Sequence, residues 1–154
     1  MNAYNQFELS LLSDNARRSL DELTIASVED LTTQQAEVIF KATKWFDTRY
    51  SGERTLRQFQ LEALVNVLAG KNVIVRAGTG YGKTLAMILP ILFGNSSKIA
   101  LTISPLKLLQ NSHVDEFNNY GISTIQINQD TLDDKELWKV HTSLISASSI
   151  PHIV

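Results

Sequence analysis

The sequence predicts an α/β fold with a parallel sheet, and three observations predict it. A β-branched run, Val73-Ile74-Val75, leads into a glycine-dense turn at Ala77–Gly82 and then into an apolar helical segment at Lys83–Phe93. Two further apolar runs, Ile99–Ile103 and Ile122–Ile127, alternate with helical patterns downstream. Strands separated by helices run in the same direction and build a parallel sheet. Upstream of Gly70 the periodicity is helical, so a helical N-terminal segment precedes the α/β part.

The elements follow in chain order. Leu9, Leu12, Ala16 and Leu20 recur at helical spacing near the start. Thr32 and Gln35 match a capping box, and Ala36, Ile39, Phe40 and Thr43 share one face of a helix over 32–46. Thr48–Arg54 reads as a loop around Gly52. Leu56–Ala69 reads as a helix with Leu56, Phe59, Ala63 and Leu64 inward, and Gly70 suits its C-terminal end. Val73–Val75 is a buried strand by pattern, and Lys83–Phe93 is a helix that Pro90 kinks or ends. Ile99–Ile103 is a second strand, stopped by Pro105. Leu106–Asn119 is a helix with Leu106, Leu109, His113 and Phe117 along one side, closed by Gly121. Ile122–Ile127 is a third strand, and Asp133–Val140 a short helix.

Composition narrows the classes. A chain of 154 residues suits one ordinary domain, and its 44% hydrophobic content is close to the globular norm. A formal charge of -2 excludes a strongly basic nucleic-acid wrapper, so any such contact comes from a local patch or from backbone groups. The lack of cysteine removes disulfides, thiolate nucleophiles and Cys-ligated zinc. MNAYNQFELS has neither a basic start nor an apolar core, so no secretory signal is expected. The apolar stretch Leu85–Phe93 is interrupted by Pro90 and is too short to span a bilayer, so no membrane partner is expected. His113, His141 and His152 lack ligand-like spacing, and no metal site is expected from them.

The strongest motif is Ala77-Gly78-Thr79-Gly80-Tyr81-Gly82-Lys83-Thr84, placed between a predicted strand and a predicted helix. Glycines let the backbone curl so that successive N–H groups point at phosphate oxygens, and the helix start adds partial positive charge. Lys83 would neutralise the β- and γ-phosphates of ATP, and the Thr84 hydroxyl would bind Mg²⁺. Ala77 stands where the strict pattern has glycine. The bland alternative is a glycine-rich turn with an exposed lysine. Upstream, Gln60 carries a donor and an acceptor that could pair with the N6 and N7 edge of adenine.

At these residues the sequence resembles the superfamily 2 (DEAD/DEAH-type) DNA helicases, most closely the RecQ-like family. Leu56-Arg57-Gln58-Phe59-Gln60 resembles the family's Phe-Arg-x-x-Gln, and Thr79–Thr84 its Thr-Gly-x-Gly-Lys-Ser/Thr. Ser104-Pro105-Leu106 resembles a motif that contacts single-stranded DNA. The family commonly continues Leu-Met-x-Asp-Gln-Val; here Leu109 and Val114 are kept, and Gln110, Ser112 and His113 stand for Met, Asp and Gln. Tyr120-Gly121-Ile122, Ile127-Asn128 and Thr131 resemble the third strand and the turn after it.

The resemblance implies the N-terminal part of a first RecA-like domain, a phosphate-loop NTPase fold, incomplete here. The segments are a helical extension over 1–50, a partial ATP-binding domain over 51–140 and a divergent tail over 141–154. It implies ATP and Mg²⁺ as cofactors, with Lys83 and Thr84 catalytic. Arg57, Gln60, Ala77, Gly78, Thr79, Gly80, Tyr81 and Gly82 complete the nucleotide site. It implies single-stranded DNA as a weak partner at Ser104, Pro105 and Leu106, 3′–5′ strand separation by the family, and an intracellular setting, nuclear in a eukaryote.

The family's acidic Asp-Glu-x-His motif is missing, since no Asp or Glu follows Glu136. Asp115-Glu116 falls within a helical pattern and reads as a solvated face. This predicts little ATP hydrolysis by this chain alone and leaves open whether it is an enzyme. It also predicts an open sheet edge beside Val73–Val75, available to a partner chain. The alternatives are a degenerate, non-enzymatic fragment or a nucleotide- or protein-binding module, and, less well supported, a small-molecule kinase.

Overall fold

The structure is a computed structural model that describes residues 7–22, 32–94, 99–128 and 152–153. The expected helix Asp133–Val140 and the tail up to Pro151 lie outside the described residues. The chain divides into two compact units, Met1–Phe93 and Gly94–Val154.

The first unit is helical. After a 3-10 turn at Leu9–Leu11 come α1 (Asp14–Asp21), α2 (Thr33–Arg49), α3 (Gln58–Leu68) and α4 (Lys83–Phe93). Each starts or stops for a local reason. The Ser13 hydroxyl accepts from the Ala16 N–H at the start of α1. Thr32 and Gln35 form the expected reciprocal cap of α2, with the Thr32 N–H donating to Gln35 Oε1 at 2.9 Å. Gly70 closes α3 at φ +74°, a conformation that costs a side chain energy. Pro90 neither ends nor replaces α4 but sits inside it, so the carbonyl of Ala86 lacks its helical donor at that turn.

Leu12, Ala16 and Leu20 of the N-terminal segment are buried, as are Ala36, Ile39, Phe40 and Thr43 of α2. Leu61 and Leu64 of α3 and Ile88 and Leu89 of α4 are fully enclosed. Asp47, the one buried acid among the described residues, is held by Ser13, whose N–H and hydroxyl donate to its two oxygens at 2.8 and 2.5 Å. That pair fastens α2 to the start of α1 across 34 residues.

Val73–Val75 corrects the sequence expectation. It forms no strand, and Ile74 is 97% exposed. β-branched residues favour extended backbone, but a strand exists only through a ladder with a neighbour, and no described segment supplies one.

The second unit holds β1 (Ala100–Leu101), α5 (Lys107–Asn119), β2 (Thr124–Ile125) and β3 (His152–Ile153). The strands pair in parallel in the order β1-β3-β2, with His152 opposite both Ala100 and Thr124. The strands are two residues each, far shorter than the expected runs 99–103 and 122–127. Among the described residues, Val73–Val75 is in no strand. The expected inward stripe of α5 is also only partly realised: Phe117 is fully buried, but Leu106 and Leu109 are exposed. Among the described residues no helix is long and apolar enough to cross a membrane.

Candidate nucleotide-binding site

Arg57 is the N-cap of α3, and the residue before it is fixed from α1: the buried Ser19 hydroxyl donates to the Leu56 carbonyl at 2.6 Å. The N-terminal helix, whose task the sequence does not reveal, thus supports the entry to the motif.

Gln60, in the first turn of α3, is 3% exposed. Its Oε1 accepts from the Arg57 N–H at 2.8 Å. Its Nε2 donates to the Gly82 carbonyl at 2.9 Å, across 22 residues. The first bond is one half of a capping box; arginine has no acceptor with which to return the other half. The second binds the motif helix directly to the glycine loop. The sequence associates these two segments only by resemblance; the structure brings them into contact. Two of the four hydrogen-bonding capacities of the amide go to protein, leaving one N–H and one lone pair for anything else.

The loop is curled. Gly80 and Gly82 both have φ +78°. A Cβ on Gly82 would lie 2.7 Å from Gln60 Nε2, so only glycine permits that bond. The Tyr81 N–H donates to the Gly78 carbonyl at 3.4 Å. The Lys83 ammonium reaches back over the turn and donates to the carbonyls of Ala77 and Gly78 at 2.9 and 2.8 Å. An ammonium has three donors, so one is left over. Lys83 is exposed and stands as the first residue of α4, where the helix dipole is positive. Thr84 follows it, half-buried. Gly78, Thr79, Gly80 and Tyr81 are exposed, and Ala77 is half-buried. With the Lys83 ammonium and a helix start beside it, the curled loop suits an anion with several oxygens. For a divalent cation the described residues provide no cluster of three or more acidic or imidazole groups, so the Thr84 hydroxyl would be joined by phosphate oxygens and water.

In the second unit, Ser104 is half-buried, and Pro105 and Leu106 are exposed ahead of α5. Gln110 is the residue that the sequence reasoning undervalued. Its Nε2 donates to the Ser104 carbonyl at 2.8 Å, and its Oε1 accepts from Gln126 Nε2 at 3.0 Å. It therefore clamps the turn after β1 to the segment after β2. The one signal for it was a long amide at a position where the resembled family has methionine. Asp115 is exposed and Glu116 half-buried on α5, which is how a solvated helix face looks.

Residues 57–154 match the family model of the DEAD/DEAH box helicases. The ATP-dependent helicase wrn-1 of Caenorhabditis elegans is 31% identical over 108 residues, 70% of this chain and 10% of that protein. The ATP-dependent RNA helicase DBP9 of Coccidioides immitis is 39% identical over 82 residues, 49% of this chain and 13% of that protein. The ATP-dependent DNA helicase Q-like SIM of Arabidopsis thaliana is 34% identical over 83 residues, 54% of this chain and 9% of that protein. The chain thus spans about a tenth of the length of these relatives. No solved structure gives a significant match. Because the family match starts at the arginine ahead of the buried glutamine and runs through the glycine loop to the end of the sequence, the chain belongs to the DEAD/DEAH box helicase family, with RecQ-like helicases among its relatives.

Proposed function

We propose that the chain is the ATP-gripping part of a RecQ-like, ATP-dependent 3′–5′ DNA helicase, acting inside the cell and, in a eukaryote, in the nucleus. The Gln60–Gly82 hydrogen bond carries this reading, because it joins the motif helix to a loop already curled around the Lys83 ammonium. The remaining Lys83 N–H, the loop amides from Ala77 to Gly82 and the start of α4 hold the β- and γ-phosphates of ATP or ADP. Arg57 and Gln60 face the base. The Thr84 hydroxyl holds Mg²⁺, which when bound offsets phosphate charge. Ser104, Pro105 and Leu106 contact single-stranded DNA weakly, mostly through backbone groups, with affinity that falls as salt rises.

In this reading residues 1–50 are a supporting helical extension, 51–140 the partial RecA-like domain and 141–154 a divergent tail. Val73–Val75 becomes a strand of a wider parallel sheet once another segment pairs with it. The chain alone unwinds no DNA and hydrolyses ATP slowly, since the acidic motif that would hold Mg²⁺ and position water is not in it.

Equilibrium binding of ATP with Mg²⁺ tests this. Lys83→Ala should weaken binding by about ten-fold or more, the usual loss for a charge-assisted hydrogen bond. Binding that survives the substitution unchanged would falsify the site. A second reading, a protein-binding module, draws on the exposure of Ile74: the unpaired run Val73–Val75 would accept a strand from a partner chain.

A further inference from the structure

Tyr81 stands at the open position of the loop pattern, and nothing so far gives its ring a task. The ring is 52% exposed, yet it is not loose. Two of its carbons lie 3.3 and 3.4 Å from the point where a Cβ on Gly78 would stand, so the ring folds back across the loop onto that glycine. The Arg57 guanidinium carbon lies over the ring, 4.7 Å from its centroid.

Arg57 is therefore fixed at both ends by groups belonging to the loop. Its backbone N–H is bound by Gln60, which is bound to Gly82. Its guanidinium rests on Tyr81, which rests on Gly78. A guanidinium is planar and stacks on π systems, and a free arginine side chain gives up much rotamer freedom when it does so. Stacking on Tyr81 removes that freedom before any ligand arrives. Arg57 remains exposed, so a second planar group can lie against it. The uncommitted N–H and lone pair of Gln60 belong to the amide that holds the same residue.

We propose that Tyr81 is a positioning residue that holds the Arg57 guanidinium as a stacking plate for the nucleobase. The Tyr81 ring itself touches neither base nor phosphate. The inference rests on the nucleotide-site reading above and deepens it: the base contributes to affinity through a plate that the loop itself props up.

The test compares two probes on the full chain, ATP and inorganic tripolyphosphate, each with Mg²⁺, by titration calorimetry. Tyr81→Ala should weaken ATP binding about two- to five-fold, the range of an exposed cation–π contact, and leave tripolyphosphate binding unchanged. Tyr81→Phe keeps the ring face and should keep the parent affinity for both. An equal loss for both probes would mean that the ring only shapes the loop, and a gain that it obstructs the loop; either overturns the proposal, as does an unchanged ATP affinity. If the parent chain binds both probes equally well, the base adds nothing and this inference alone falls. If it binds neither, the nucleotide reading falls as well.

Discussion

In the first unit the helices enclose a core of apolar side chains, although Val73–Val75 stays exposed; in the second, the same residue types largely face water. All of the buried apolar side chains among the described residues belong to the first unit except Phe117 and Ile122. Ile99, Leu101, Ile103, Leu106, Leu108 and Leu109 of the second unit are exposed. Helices satisfy their own backbone and need only one face covered, so the helices described in the first unit close a core among themselves. A parallel strand needs neighbours on its edges and layers on its faces, and two-residue strands supply little of either. Among the described residues the local rules that make helices are met, whereas the non-local pairings that make a sheet are met only in part.

Truncation separates the two units most sharply. Leu64→Ala, at a fully enclosed position of α3, should cost about 2–5 kcal/mol in urea unfolding. Leu108→Ala, at a position 82% exposed on α5, should stay within about 0.5 kcal/mol. Similar costs at both positions would dissolve the contrast. Gln60→Ala should come next, at about 1–3 kcal/mol, because the Arg57 N–H and the Gly82 carbonyl lose a buried partner in part-buried bonds. The same variant should bind ATP less tightly; if its unfolding midpoint is unmoved, the amide is no structural tie. Ile74→Lys should change stability least, within about 0.5 kcal/mol, since the residue is almost fully exposed. It should nonetheless reduce self-association in sedimentation, as a charge does on an unpaired strand segment. Unaltered association would remove Val73–Val75 as a pairing surface.

What the sequence revealed follows the same division. The Thr32–Gln35 cap, the stop at Gly70 and the apolar face of α2 were legible because each is written within a few residues, whereas the face of α3 was legible in part: Ala63 and Leu64 are buried, Phe59 is only half-buried and Leu61, not expected inward, is fully enclosed. The glycine loop was legible as a motif, and its curl follows from Gly80 and Gly82 at positive φ. The Ser13–Asp47 and Ser19–Leu56 bonds were not, because they join residues 34 and 37 apart and leave no local pattern. Gln60 was singled out as a base reader, but its burial and its grip on Gly82 depend on how α3 meets the loop. Val73–Val75 showed its extended preference, but the presence of a neighbouring strand is not written in three residues. His152–Ile153, in the segment read as a divergent tail, lies between β1 and β2.

The bond from Ser19 to the Leu56 carbonyl has a practical consequence for anyone trimming this protein. The match to the helicase family model starts at Arg57, and a fragment cut there would keep every signature residue of the loop. It would lose the hydroxyl that holds the peptide just ahead of Arg57, and with it the helix α2 that packs against α3. The boundary drawn by kinship and the boundary drawn by mechanical support differ here, and a shortened version should begin no later than Ser13, where the Asp47 clasp begins.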